Sequence, residues 1–425
     1  ARVIVDAERL WGRLMRLAEV GAVAAEAGGG ITRPALGAAH AEAAGLVAGW
    51  MREAGLEVGR DDQGNVIGVW PGREPALPAV ALGSHLDTVP HGGAFDGALG
   101  VLAGLEAAQS LAERGERLHR SLAVIGFADE EGNEFGIGVL SAQLWIGEIP
   151  PERFAAMLDR RGRSLAEALA AFGLPGVPHV ARPELAAYLE AHVEQGPVLD
   201  GDGGAAAAVE GIVGISRTTV RFEGAANHAG TTPMGLRRDA LWGAAELALA
   251  VRDLGRAQED RAVTTVGVFE VAPGATNVIP GAATLRIEMR ALEEARLADM
   301  RAEVERLAHA CADRHGLGVT IEPWHHAPAV PMHPALLDAT RGALADAGVP
   351  VRSMPSWAGH DAKVLARRLP VGMLFVPSVG GVSHAPNEVT RAEHCALAAE
   401  LLLHAARRVD RALDAGLDVE EMGPT

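Results

Sequence analysis

The hydrophobic positions of the chain follow two rhythms. From Ala35 to Arg52 apolar residues recur at helical spacing in the Ala-rich stretch ALGAAHAEAAGLVAGWMR, and a similar pattern returns from Leu99 to Ala112. Between them, Leu56 to Val69 and Ala79 to Gly83 read as short strands, and Leu122 to Phe127 reads as a buried one. That succession predicts an α/β sheet covered by helices.

After the breaker-rich GDGG at 201–204 the rhythm changes. Ile212 to Phe222 reads as a strand, Leu236 to Val251 as a helix, Val263 to Val271 and Ala282 to Arg290 as strands, Glu293 to Arg314 as a helix and Gly318 to Trp324 as a last strand. Strand, helix, strand, strand, helix, strand is the order of a split βαβ sandwich. Pro328, Pro331 and Pro334 then return the chain to α/β patterning. The expectation is an α/β domain in two sequence pieces, 1–211 and 328–425, interrupted by an α+β domain at 212–327.

Composition narrows the classes of function. The 425 residues exceed a single ~150-residue domain, and 48% hydrophobic residues suffice for a large core. With 38 basic and 55 acidic residues the formal charge is −17, which gives no attraction to phosphate backbones or anionic lipid. Neither nucleic acid nor a membrane is expected as a partner, since no stretch approaches the ~20 apolar residues of a span. Cys311 and Cys395 fit neither a disulfide framework nor thiolate metal spacing, and the N-terminal pattern is interrupted by Glu8, Arg13 and Glu19, unlike a secretion signal. A reducing, cytoplasmic location is the expectation.

The chemistry lies in four clusters. GSHLDTVPHGGAFDG places His85 and Asp87 in alternation off a strand end, so that His85 could ligate a metal while Asp87 holds its other ring nitrogen. Asp96 follows a glycine turn at a position from which one carboxylate could bridge two ions. Singly, such residues are more often turn caps than ligands; their clustering weakens that reading. In GFADEEGNEFG, Asp129, Glu130 and Glu131 follow an apolar strand, and adjacent like charges need solvent or cations. One of these acids could ligate a cation and another act as general base on a bound water. AHVEQGPVLD supplies His192, Glu194 and Gln195, and FVPSVGGVSHAPNE supplies His384. Three imidazoles with Asp96 and Glu131 form an N/O donor set suited to two ions of Zn²⁺, Co²⁺, Mn²⁺ or Ni²⁺.

With GAANHAGTTPMGLRRDA and GATNVIPG added, these motifs resemble the metal-dependent amidohydrolases of the peptidase M20 superfamily, in the branch of N-carbamoyl-L-amino-acid hydrolase, allantoate amidohydrolase and β-ureidopropionase. The resemblance spans nearly the whole chain. It implies a zinc-peptidase-like catalytic domain with an inserted ferredoxin-like lid and dimerisation domain. It implies a dinuclear centre ligated by His85, Asp96, Glu131, His192 and His384, with Asp96 bridging, Glu130 as catalytic base and Asp87 as the partner of His85. It further implies that His228 stabilises the oxyanion, that Gln195, His228, Asn277 and Arg290 hold a small ureido acid by its free carboxylate and amide, and that the protein is a homodimer through the inserted domain. Hydrolysis of N-carbamoyl-L-amino acids is the expected activity, ahead of allantoate, and then β-ureidopropionate, acylated amino acids or peptides.

Arg237 reads as a weaker candidate that could pair with acids of the helix after it. Two positions depart from the family pattern: SWAGHDA puts Trp357 where glycine is common, as a pocket wall or a surface residue, and His91 stands where relatives carry Asn. His91 is not expected to be a ligand, and His360 and Asp361 read as supporting residues. Neither cysteine lies in a motif, against thiol catalysis.

Overall fold

A computed structural model describes residues 5–416; the outermost residues of the two expected catalytic pieces, 1–4 and 417–425, lie outside the described residues. The chain forms two compact units, one running to Glu210 and resuming at Met332, the other comprising Gly211–Pro331.

The first unit is an α/β fold. Its strands are β1 (Glu57–Arg60), β2 (Val66–Trp70), β3 (Ala79–His85), β4 (Leu122–Phe127), β5 (Leu185–Val193) and β6 (Ala207–Ile212), joined after the second unit by β12 (Ser353–Ser356) and β13 (Val371–Val376). They order as β1-β2-β4-β3-β5-β13-β6, with β12 also on β6. The pairs β4-β3, β3-β5 and β5-β13 are parallel, and β3, β4 and β13 are buried along their whole length. Burial on both faces is why these segments read as continuous apolar runs. The helices Ala98–Glu113 and Ala392–Asp414 pack on this sheet through Leu, Val and Ala side chains.

The first helix, Ala7–Ala18, starts at Asp6, whose side chain accepts the Arg9 N–H at 2.9 Å. Arg9 crosses to the fully buried Glu106 with Nε and Nη2 at 2.8 and 2.7 Å. Leu56 to Val69 is not one strand: Asp61 accepts the N–H groups of Gln63 and Asn65 and the Asn65 amide, closing a turn that folds the segment into the β1-β2 hairpin.

The second unit carries β7 (Gly214–Glu223), β8 (Ala262–Ala272), β9 (Ala282–Ala291) and β10 (Gly318–Ala327), in the antiparallel order β10-β7-β9-β8. Helices Ala240–Arg256 and Glu294–His315 cover one face, completing a ferredoxin-like βαββαβ fold. Along β7 alternate residues are buried, as one-sided packing requires. The short β11 (Val330–Pro331) pairs with Gly211 and Ile212. The expected strand from Ile212 is therefore interrupted, with Ile212 ending β6 and β7 beginning at Gly214. The helix expected from Leu236 begins at Ala240, because Asp239 accepts the Leu241 N–H at 3.0 Å and caps it there. No described helix is long and apolar enough to cross a membrane.

Candidate metal centre

The carboxyl ends of β3 and β5, the acidic loop after β4 and the loop after β13 converge on Asp96. His85 ends β3 with its ring buried between two aspartates: Nδ1 lies 3.1 Å from the Asp87 carbonyl and 3.4 Å from its Oδ1, and Nε2 lies 3.3 Å from Asp96 Oδ1. His192 on β5 turns Nδ1 to the Val193 carbonyl at 2.9 Å and Nε2 to Asp96 Oδ1 at 3.3 Å. His384 Nε2 stands 3.2 Å from Asp96 Oδ2 and 3.6 Å from Glu131 Oε1. Asp87 accepts the backbone N–H groups of Glu130 and Glu131 at 3.0 and 3.2 Å, which fixes the start of the acidic loop. At Gly97 a Cβ would overlap the His85 ring, so the turn from Asp96 into the following helix requires glycine.

Four overlapping groups result among the described residues: His85, Asp96 and His192; His85, Glu130 and Glu131; Asp96, Glu131 and His384; and Glu190, His192 and His360. Within each group the ligating atoms lie within 4.8 Å of one another. The first and third share Asp96, which gives two adjacent N/O donor sets consistent with a binuclear metal site. The His384 side chain is 48% exposed against 7% for Asp96, so the centre opens on the His384 side.

The electrostatics fit cations. Burial raises the Glu130 carboxyl well above the usual carboxylate range, His85 opposing and Glu131 adding repulsion; burial likewise brings Glu131 to about 7. Burial pushes Asp96 upward, yet the imidazoles of His192, His384 and His85 prevail and hold it well below its ordinary value. Asp96, with burial opposing, lifts His384 to about 9. The acids thus demand positive charge, which the imidazoles meet only by taking up protons. Divalent cations answer that demand with the imidazoles neutral.

Gln195, with left-handed φ of 60°, donates its amide to Asp96 Oδ2 at 2.9 Å and lies 3.2 Å from His384 Nε2, so it belongs to the same constellation. His360 packs edge-on against His192 with ring centroids 4.5 Å apart and lies 2.8 Å from Ser356 Oγ; Asp361 beside it is fully buried. His91 Nδ1 faces the Gly29 carbonyl at 2.9 Å, outside the ligand groups. Trp357 lies in the turn after β12, between Ser356 and His360, and is partly exposed.

The remaining candidates sit on the second unit. The residue pair His228 and Val278 forms a β-bridge, and the Asn277 carbonyl accepts the Ala229 N–H at 3.0 Å. His228 Nδ1 accepts the N–H groups of Gly230 and Thr231 at 3.0 and 3.2 Å, leaving the far ring nitrogen outward. Arg237 donates to the carbonyls of Ala229 and Thr232, holding this turn rather than pairing with helix acids. Arg290 is not with them. Its Nε meets Glu288 at 2.8 Å near the far end of β9, eight residues past Ala282 and about 26 Å along the strand. Sequence reasoning also passed over Ser383 and Glu388, which contact Asp96 or its backbone; their only signal was membership of the SHAPNE motif.

Residues 81–408 match the peptidase family M20/M25/M40. The chain belongs to that family. Within it, the N-carbamoyl-L-amino acid amidohydrolase of Geobacillus stearothermophilus is 39% identical over 409 residues, 94% of this chain and 98% of that protein. The allantoate amidohydrolase of Escherichia coli (strain K12) is 35% identical over 342 residues, 80% and 83% of the two chains. The crystal structure of an amidase of the hydantoinase/carbamoylase family from Burkholderia multivorans superposes with a TM-score of 0.89 at 35% identity, covering 96% of this chain and 98% of that one. The protein is accordingly an M20-type metal-dependent amidohydrolase with an α/β catalytic fold and a smaller inserted α+β fold.

Proposed function

We propose that the protein hydrolyses the carbamoyl C–N bond of N-carbamoyl-L-amino acids, releasing the L-amino acid, carbon dioxide and ammonia. The observation that carries the chemistry is the pair of donor sets meeting at Asp96 with Glu130 beside them. The choice of substrate rests on the likeness to the Geobacillus amidohydrolase.

His85, Asp96 and His192 would hold one divalent cation, and Asp96, Glu131 and His384 a second, from Zn²⁺, Mn²⁺, Co²⁺ or Ni²⁺. Bound there, the ions supply Lewis-acid polarisation of the ureido carbonyl and a more acidic water. Glu130, its proton affinity raised by burial, takes a proton from the attacking water and returns it to the leaving nitrogen. Asp87 keeps His85 oriented and the acidic loop in place. His228 donates to the developing oxyanion, Arg290 grips the substrate carboxylate as a planar fork, and Asn277 and Gln195 bond its amide and carboxylate groups.

The span of about 26 Å along β9 keeps Arg290 from meeting a small ureido acid together with His228 and Asn277 of its own chain. That supports a homodimer through the inserted unit, in which Arg290 of one chain works with His228 and Asn277 of the other. The inserted unit then serves as both lid and dimerisation surface, and a cytoplasmic location suits the substrate.

The test is a matched kinetic comparison of N-carbamoyl-L-methionine, N-carbamoyl-β-alanine and allantoate on protein stripped by chelator and reloaded with Mn²⁺, Co²⁺ or Zn²⁺. Metal-dependent turnover led by the L-amino-acid derivative is expected. Dominant allantoate turnover would transfer the protein to the reading favoured by its 35% identity with the Escherichia coli enzyme. Absence of turnover on all three would overturn both.

A further inference from the structure

Glu388 lies four residues beyond His384, is buried, and belongs to none of the candidate metal-ligating groups. Its Oε1 accepts two backbone N–H groups, from Phe95 at 2.9 Å and Asp96 at 3.0 Å. Its Oε2 accepts the Ser383 hydroxyl at 2.8 Å, and the same hydroxyl lies 3.0 Å from Asp96 Oδ2. One carboxylate thus joins the loop carrying Asp96 to the loop carrying His384, across 292 residues of sequence.

Two local features show that the chain is built around this contact. At Gly93 a Cβ would overlap the Glu388 carboxylate, so the approach is open only to glycine. His384 itself has left-handed φ of 54°, a conformation that costs a non-glycine residue and persists only when its surroundings hold it. The Ser383 hydroxyl has one proton and two carboxylates within reach. When Asp96 gives its oxygens to cations, that proton is left to Glu388, and the link between the loops is retained.

We propose that Glu388 is a positioning residue of the metal centre: it fixes the Asp96 backbone against the His384 loop and so sets the Asp96–His384 spacing that the second cation needs. The proposal rests on the reading of Asp96 and His384 as ligands. A carboxylate that only filled space would have no need of two N–H groups from the Asp96 loop, and a buried carboxylate accepting three hydrogen bonds is well suited to act as a rigid strut.

The experiment measures metal stoichiometry and affinity, by elemental analysis and chelator competition, on the full chain as wild type, Glu388→Ala, Glu388→Gln and Gly93→Ala, with melting temperatures alongside. Wild type is expected to hold two ions. Glu388→Ala should bind one of them about 10–100-fold more weakly. Gly93→Ala keeps the carboxylate but pushes it aside, and should weaken the same ion. Glu388→Gln keeps an oxygen for the two N–H groups and should recover most of the affinity lost in Glu388→Ala. If Glu388→Ala folds but melts lower and binds both ions with wild-type affinity, the positioning role is overturned while the centre stands. If Glu388→Ala fails to fold, Gly93→Ala decides alone, and unchanged affinity there overturns the role. A wild-type chain that binds no divalent ion overturns the centre and this role together.

Discussion

Asp87 reaches the acidic loop through Glu130: its Oδ1 accepts the Glu130 backbone N–H at 3.0 Å and lies 3.4 Å from His85 Nδ1. One carboxylate therefore sets the orientation of the proposed ligand ring and the position of the proposed general base. Asp87→Asn keeps one acceptor but presents an amide that cannot accept the second N–H. We expect kcat to fall about 10–100-fold with weakened metal binding. Kinetics with parallel metal analysis check this, and full activity with full occupancy would refute it.

Glu130 should separate from the ligands by its phenotype. Glu130→Gln preserves shape and hydrogen bonding and removes only the proton acceptor. The expected loss is about 10²–10⁴ in kcat with both ions retained. A variant that instead loses an ion would mark Glu130 as a ligand, in line with its place in a group with His85 and Glu131.

His40 gives stability a pH dependence of its own. It is fully buried, its Nδ1 accepts the Leu36 N–H at 3.1 Å, and its ring stacks on Phe172. Burial lowers its pKa from 6.5 to about 4, so the folded state holds it neutral. Because the folded value lies below the unfolded one, its contribution is complete above pH 6.5 and is lost as pH falls from there toward 4. The loss should approach about 3 kcal/mol by pH 4, of which about 2 kcal/mol is gone at pH 5. His40→Leu should be less stable at pH 7 and show a flatter profile; denaturant curves at pH 7.5, 6 and 5 that run parallel for the two proteins would disprove it.

Arg9 ties the first helix to Glu106, whose carboxylate is fully buried. Arg9→Ala strands that charge, although solvent near the partly exposed Arg9 softens the effect. A loss of about 2–3 kcal/mol is expected, read as a lower denaturation midpoint. An unchanged midpoint would mean that the Asp6 N–H and the Ser110 hydroxyl suffice for Glu106.

Segments buried on both faces, or on one face with regular alternation, were legible in the sequence, as β4 and β7 illustrate. What escaped were breaks imposed by side-chain hydrogen bonds. Asp61 folds a promising strand into a hairpin, and Asp239 delays a helix by one turn, although apolar periodicity runs through both. The clustering of His, Asp and Glu side chains at the candidate centre was readable because metal chemistry restricts residue type. Glu388 was not, since a carboxylate bonded to main-chain N–H groups 292 residues away has no signature in local pattern. The distance of Arg290 from His228 and Asn277 was equally hidden, because motif membership carries no coordinates.

The split of the first unit across the sequence has a consequence for how the protein comes into being. During synthesis His85, Asp96, Glu131 and His192 emerge early, and the ferredoxin-like unit follows with a core of its own. His384 and Glu388 arrive only in the last tenth of the chain. A nascent chain would offer only the first donor set, and the proposed shared centre would close only when the final strand and helix dock. With the ligands proposed above, full metal loading would therefore report completed translation, and an interrupted chain would carry half of the proposed site.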